Sequence, residues 1–498
     1  MNVPSTATYS PVEHRMLILA GLLATYMQAV NISIPNAALL RLQGGLSMTD
    51  DQVGWVFTSY IAASAVVMPL THWLAARFGR KTIYLLSLAL FALGLALDVL
   101  ATTPLQFVGA RVVQGAASGT LAPLSMSILL AELPALRHGR IGLSWAVTGT
   151  LGILSGPSIG GFLSEAFGWH AIFSISFPLV AFIILVVALF LRERRPMTRE
   201  PFDFFGWAML SISLTAVQML LDRGQRLEWF ASTEICLEAA AAALGAWLYL
   251  VHIFTRRNHY LDRALFTHRN FTLGALLYFV FGFVLLPTLA LTSPMLEELL
   301  RYPGDAAGLL TIPRGLGMMV CLLATWRVSP RIDNRLVLAA GVLLVTLGNW
   351  RMVGYSPLMD GWAVGFAGLL QGAGLGMLMP AITRATFSSL PPALRAHGTV
   401  LFNLARLYGS TLGVAVVQLY FFMNTQGMHS ALAEHLRPYG AFAHMSNATT
   451  GAALAAINEG VTGQAAMVAV IGQFKLLFVA MLAVSPLILF LRPPRASH

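Results

Sequence analysis

Thr148-Gly149-Thr150-Leu151-Gly152-Ile153-Leu154-Ser155-Gly156-Pro157-Ser158-Ile159-Gly160-Gly161 is the stretch on which the fold of this chain turns. It lies inside an apolar run of about 24 residues, long enough to cross a bilayer as a helix. Gly149, Gly152, Gly156 and Gly160 recur at steps of three, four and four, which places all four on one helical face. A strip without side chains lets a neighbouring helix come close, as helices do when they associate in lipid. Pro157 removes an amide donor in mid-helix and predicts a bend. Two readings are open: a tight packing seam and nothing more, or a seam that slides or bends while a cavity changes sides. The preceding apolar run carries Arg111 and Gln114, and an ionisable group inside the membrane is a functional-site hypothesis by default.

Composition extends this reading to the whole chain. It is 57% hydrophobic and 10% charged, with a mean hydropathy of +0.72. A water-soluble domain carries about 25% charged residues. The class is therefore an all-α polytopic membrane protein. The formal net charge of +10 does not point to nucleic acid, because the basic residues cluster in short connections between apolar runs. Cys236 and Cys321 fall in apolar segments and suggest neither a disulfide nor a metal site. The polar stretch 1–15 precedes an apolar run too long for a cleaved signal, so an uncleaved first span is expected.

Fourteen apolar segments can be counted. They lie near Met16–Leu39, Val53–Trp73, Thr82–Thr102, Leu105–Leu130, Ile141–Leu163, His170–Leu191 and Phe204–Leu221. The rest are near Thr233–Phe254, Phe271–Met295, Ala306–Trp326, Leu336–Val353, Gly361–Ile382, Thr399–Met423 and Met467–Leu491. One set of alternate connections holds Arg77, Arg80 and Lys81, then Arg137 and Arg140, Arg192 to Arg199, Arg256 to Arg269, Arg327 to Arg335, and Arg384 and Arg395. The opposite set holds Arg41, Arg223, Arg226, Arg301 and Arg437, with Arg351 close by. Basic residues stay inside, so both termini are expected on the cytoplasmic side.

An internal repeat accompanies the count. Gln114-Gly115-Ala116…Gly119…Leu121…Pro123 recurs as Gln371-Gly372-Ala373…Gly376…Leu378…Pro380, 257 residues on. Leu133-Pro134-Ala135-Leu136-Arg137 is echoed by Leu390 to Arg395, and Arg77 and Gly94 match Arg331 and Gly348 at an offset of 254. Two six-span halves with a site between them are the architecture of a secondary transporter. The expected organisation is a cytoplasmic stretch 1–15, a six-helix bundle 16–191, a linker 192–269 with two extra spans, a second bundle 270–491, and a cytoplasmic tail 492–498. Within the second bundle, residues 424–466 read as a long external loop. Short surface helices and a docking surface for a periplasmic membrane-fusion partner are both open there.

Three of these stretches resemble the motifs of a known family. Trp73-Leu74-Ala75-Ala76-Arg77-Phe78-Gly79-Arg80-Lys81 is similar to the basic gating loop of the major facilitator superfamily. Arg111-Val112-Val113-Gln114-Gly115 resembles the motif whose arginine is linked to proton transfer. The Gly156-Pro157 seam, with Gly149, Gly152, Gly160 and Gly161, resembles the family's antiporter motif. Over essentially its whole length the chain looks like the fourteen-span drug:proton antiporter branch, the EmrB/QacA type. The resemblance implies a major facilitator fold of two six-helix bundles plus two inserted helices. It implies multidrug-type efflux of amphipathic small molecules by alternating access, with H+ as driving ion and no bound cofactor. The chain also departs from the pattern. Asn31 stands where the branch often has an acid, Ala76 replaces an Asp in the gating loop, His72 replaces its leading Gly, and Gly472 replaces an Asp before the last span.

Proton-coupled export needs a group that releases and rebinds a proton. Few acids fall inside the spans. Asp98, Asp222, Glu234 and Glu238 all lie toward span ends, where an interfacial acid is the plain reading, and His72 titrates near neutrality in a loop position. Arg111, Arg314 and Arg406 fall within apolar runs; each needs an acceptor or a wet cavity. Bonding to backbone carbonyls is one reading, and a positive cavity suited to neutral or anionic amphiphiles is the other. Tyr26, Gln28, Asn31, Asn36, Tyr60, Asn403 and Gln418 supply further polar groups, of which Asn31, Arg111, Gln114 and Asn403 are singled out to line a pocket. The chain contains no G-x-x-x-x-G-K-[ST] loop for ATP and no metal-ligand spacing, so an enzyme is not expected. A substrate sensor, or a facilitator of the same fold without proton coupling, is the alternative to an exporter.

Overall fold

The computed structural model describes residues 10–132, 138–193, 202–224, 227–255, 263–328, 332–391, 394–434 and 451–491. Arg137, Arg194, Arg195, Arg199, Arg226, Arg256, Arg257, Arg331, Arg437, the Leu133–Arg137 echo, both chain ends and 435–450 of the expected loop lie outside them. Among the described residues every regular element is helical. Thirteen helices are long and apolar enough to cross a membrane, and a bent pair makes a fourteenth span.

Spans one to six are Pro11–Ser33, the pair Trp55–Val67 and Leu70–Phe78, Arg80–Leu100, Pro104–Glu132, His138–Phe167, and Ser176–Phe190. Spans seven and eight are Phe204–Arg223 and Thr233–Thr255. Spans nine to fourteen are Arg269–Pro294, Gly304–Val328, Asn334–Val353, Gly361–Phe387, Arg395–Ala433 and Gly451–Val484. Span one opens on a reciprocal cap. The Glu13 amide donates to Ser10 Oγ at 3.2 Å, and the Ser10 amide donates to Glu13 Oε2 at 2.6 Å. Span two bends by 53° at Met68-Pro69, where Pro69 has no amide to continue the ladder. Span five runs unbroken through Pro157.

The chain divides into two compact units, Met1–Met48 with Ser59–Asp203, and Thr49–Thr58 with Phe204–His498. In the first, span one packs on spans four, five and six, and span three on spans four and six. In the second, span nine packs on spans twelve and thirteen, span twelve on ten and eleven, and span fourteen on eleven and thirteen. The inserted spans seven and eight pack on each other, and span seven on span thirteen.

The internal repeat is a repeat of contacts as well as of letters. A Cβ on Gly115 or Gly119 of span four would strike the carbonyls of Tyr60 and Ser64 in span two. At Gly372 and Gly376 of span twelve it would strike the carbonyls of Arg314 and Met318 in span ten. Each pair is displaced by the offsets already seen in the sequence. Lipid offers no hydrophobic drive between helices, so such backbone-to-backbone approach is what holds them together.

The long external loop needs correction. Span thirteen continues as helix to Ala433 and span fourteen begins at Gly451. At about 1.5 Å per residue a helix of 39 residues is nearly 60 Å long. That is about twice the hydrocarbon thickness, so both helices project beyond the bilayer. His429 and Asn458 are hydrogen-bonded across the pair at 3.1 Å.

Candidate functional site

The amino-terminal unit holds a fully buried polar cluster made by spans one, three, four and six. On span four Arg111, Gln114 and Ser118 share one helical face, and all three are inaccessible to solvent. Span one gives way to a 3-10 turn at Ile34–Ala38 that contains Pro35. Proline has no amide, so the carbonyl of Asn31, four residues earlier, has lost its helical donor. Arg111 Nη2 donates to that carbonyl at 3.1 Å. Arg111 Nη1 donates to Gln114 Oε1, and Gln114 Nε2 donates to Asn31 Oδ1 at 3.2 Å. Asn31 Nδ2 donates to Ser176 Oγ on span six at 3.0 Å and to the Met27 carbonyl at 2.9 Å. The guanidinium carbon lies 4.4 Å from the ring centre of Tyr60 and 5.8 Å from that of Phe173, a favourable arrangement for a cation out of water.

Asp98 departs from its expected interfacial place. It is fully buried. A Cβ on Gly94 would come within 2.6 Å of Gln114 Cβ, so that face of span three presses on span four. Asp98 lies one turn further along the same face and interacts electrostatically with Arg111. Neither of its carboxylate oxygens has a hydrogen-bond partner among the described residues.

The gating loop is a one-residue junction. Span two ends at Phe78, Gly79 turns with φ 97°, and span three begins at Arg80. The positive φ is glycine's to adopt, and a Cβ there would also strike the Glu193 carboxylate. Glu193 Oε2 accepts from the Thr82 amide at 2.9 Å and the Thr82 hydroxyl at 2.8 Å, and Oε1 accepts from the Lys81 amide at 3.4 Å. Lys81 Nζ donates to the Ala188 carbonyl at 2.7 Å. Arg77 lies over Trp73 at 5.7 Å and Phe78 at 5.9 Å. The carboxylate missing at Ala76 is thus supplied from the end of span six, where it caps the exposed amides of span three. Glu193→Ala is expected to cost about 0.5–2 kcal/mol, as lost helix caps do. It should also speed amide exchange at Lys81 and Thr82, while leaving exchange in spans four and five unchanged. Equal protection at Thr82 in both proteins would contradict it.

The glycine seam faces span one. A Cβ on Gly152 would come within 2.6 Å of Ala29 Cβ, one on Gly156 would strike Ser33 Oγ, and one on Gly160 the Ile34 carbonyl. Gly149 is looser, 3.6 Å from Thr25 Cγ2. Tyr26 donates to or accepts from Ser155 Oγ at 2.9 Å, and Gln28 Nε2 donates to the Ser118 carbonyl at 3.2 Å. The strip packs within the amino-terminal unit, against the second half of span one, whose small residues Ala29 and Ser33 match it. Span thirteen repeats the device unread from sequence. Gly409 and Gly413 close on the carbonyls of Phe279 and Phe283 in span nine.

In the carboxy-terminal unit Arg314 is buried, and its Nη2 donates to the Leu285 carbonyl at 3.1 Å. Leu285 is 254 residues after Asn31, and Arg314 is 254 residues after Tyr60. The position equivalent to Arg111 is Gly368, and a Cβ there would lie 3.3 Å from Arg314 Cβ. Both guanidiniums therefore bond the matching carbonyl of their half, from stems on different helices. Tyr355, rather than a carboxylate, faces Arg314 electrostatically; the counterpart of Asp98 is the buried Met352. Gln371 Nε2 donates to Asn349 Oδ1 at 2.6 Å and Thr288 Oγ1 at 3.1 Å. Asn403 donates to the Thr399 carbonyl of its own helix at 2.9 Å, and Arg406 pairs with Tyr278. A Cβ on Gly472 would lie 3.0 Å from Tyr420 Cε1 and 3.1 Å from Asn424 Nδ2, so a side chain there would press on both. Asn31, Tyr60, Arg111 and Gln114 thus form one cluster, while Arg314, Asn403 and Arg406 belong to the other unit.

Two repeated six-span halves, each with a buried cation on its first span's backbone, define a membrane transporter of the duplicated-bundle class. A family profile described as Major Facilitator Superfamily matches residues 18–414. The multidrug export protein EmrB of Haemophilus influenzae is 30% identical over 452 residues, covering 89% of both chains. The fatty acid resistance protein FarB of Neisseria gonorrhoeae is 30% identical over 481 residues, covering 95% of both. The crystal structure of a bacterial homologue of the lysosomal transporter Spinster superposes with a TM-score of 0.63 at 16% identity, covering 97% of this chain and 99% of that one. The chain belongs to the Major Facilitator Superfamily.

Proposed function

We infer that the chain is a secondary exporter of amphipathic small molecules that works by alternating access in a bacterial inner membrane, with both termini cytoplasmic and inward proton movement as the driving force. The observation that carries this is the buried Arg111–Gln114–Asn31 cluster beside the glycine seam. Near-full-length similarity to proteins named for drug export and fatty acid resistance supports it. The helical extensions of spans thirteen and fourteen suit a periplasmic membrane-fusion partner, which would meet them beyond the bilayer.

The buried cations favour neutral or anionic cargo. Arg314 faces a tyrosine instead of an acid, and like charge is what a low-dielectric site rejects most strongly. In inside-out vesicles, fluorescein should be accumulated at least several-fold faster than a rhodamine cation of the same xanthene core, and an uncoupler should abolish the accumulation. A preference for the cation would end the charge argument. Equilibration of the dye without uphill accumulation, unchanged by the uncoupler, would favour the facilitator reading.

A further inference from the structure

We propose that Asp98 is the proton-carrying group of this transporter, and that Arg111 is the partner which receives its charge when the proton leaves. The proposal rests on the proton-antiport reading and names the residue responsible.

The argument begins with what Asp98 lacks. An ionised carboxylate without hydrogen bonds or a close cation costs several kcal/mol to bury. Here both oxygens are buried without a hydrogen-bond partner among the described residues. Arg111 directs two of its bonds elsewhere, to the Asn31 carbonyl and Gln114 Oε1. That arrangement suits a neutral, protonated Asp98. Arg111 is nonetheless within electrostatic range of it, so a modest shift of span three against span four gives the other state. The carboxyl releases one proton, the negative charge stays on the Asp98 oxygens, and the guanidinium turns from the Asn31 carbonyl to neutralise it. No other reactant is consumed.

The neighbourhood leaves few competitors. Span three packs on span four, span six, the short helix Ala171–Ser174 and the second segment of span two. Span four contributes Arg111, span six and Ala171–Ser174 contribute no titratable side chain, and the first segment of span two contributes Tyr60, which interacts with Asp98 electrostatically. His72 and Arg77 lie beside the opposite end of span three, next to Arg80. The cluster also explains Asn31. The side-chain amide occupies the span-one position where the family resemblance leads one to expect an acid, and it accepts from Gln114 Nε2, while Arg111 bonds the backbone carbonyl of the same residue. The carboxylate has not been lost from the cluster; it stands on span three. The second unit has Met352 at the equivalent place, so the proposal assigns proton exchange to one half.

The test uses full-length protein in proteoliposomes, with fluorescein and the rhodamine cation as probes. Gradient-driven uphill transport of the better-carried dye is compared with dye counterflow, which needs no net proton movement. In Asp98→Asn, uphill transport should fall at least about ten-fold, with counterflow above about a third of wild type. Asp98→Glu should recover gradient-driven transport, and so should Asp98→Asn combined with Asn31→Asp, which returns a carboxyl to the same buried cluster. Independently of any variant, dicyclohexylcarbodiimide should modify Asp98 in the wild-type protein, since it attacks protonated carboxyls in apolar surroundings. The peptide mass reports this. Asp98→Asn coupled as well as wild type, or an unmodified Asp98, overturns the assignment and leaves antiport standing. Wild-type uphill transport that is unchanged when the pH gradient is collapsed overturns antiport itself.

Discussion

Arg111→Lys is expected to reduce export at least about 100-fold. The guanidinium donates from two nitrogens at once, to the Asn31 carbonyl and Gln114 Oε1, while its plane lies over Tyr60. A lysine ammonium is a point donor and cannot hold a planar fork and a ring stack together. Removing one member of a buried charged group costs about 3–5 kcal/mol, and each 1.4 kcal/mol is about ten-fold. Part of that loss is structural, so dye export per folded transporter should be measured beside the melting midpoint in detergent. Lysine carrying more than half the wild-type flux would show that charge alone suffices. Export lost with an unchanged midpoint would place the whole cost in the transport cycle.

Gly160→Val should nearly abolish export. The added atoms meet the Ile34 carbonyl, which is backbone and cannot rotate away, with Ile34 Cγ1 3.0 Å off. Overpacking of this kind costs about 1–3 kcal/mol, occasionally more. Gly156→Val meets Ser33 Oγ, which can turn, but also the Ile34 amide nitrogen at 2.9 Å. Gly149→Ala meets a methyl at ordinary contact distance and should cost under about 1 kcal/mol. Dye efflux from cells, normalised to transporter in the membrane, should therefore fall most at Gly160, then at Gly156, and little at Gly149. A flat response across the three would show that the seam is not under tight packing.

Fourteen spans, the repeat and the place of Asn31, Arg111 and Gln114 inside apolar runs are legible because each rests on a local pattern; that the three side chains bond one another is not. Runs of apolar residues, a fixed offset and a charge within a run need no knowledge of neighbours. Asp98 was misplaced because distance along a span reports depth, not which face meets another helix. Gly94, one turn away, carried the signal, since a glycine matched in the second half marks a close crossing. Glu193 was invisible as the gating-loop acid because it reaches that loop from 111 residues further on. The seam's partner could not be read either, because small residues at helical spacing do not name what they touch. The two described ends of the expected external loop are helical for a different reason. Ala-rich sequence such as Gly451–Ala466 has too little hydrophobicity for a span, yet it has strong helix propensity.

Two guanidiniums on matching carbonyls have a mechanical consequence. In one half the tie runs from the first helix to the fourth, through Arg111; in the other it runs from the first helix to the second, through Arg314. Duplicated frames thus carry bracing on different diagonals. A carboxyl stands beside the first brace and a methionine at the same place in the second half. Titration can loosen the first, whereas the second stays fastened whatever the acidity on either side. Descent from one ancestral half has left a machine with a single release catch.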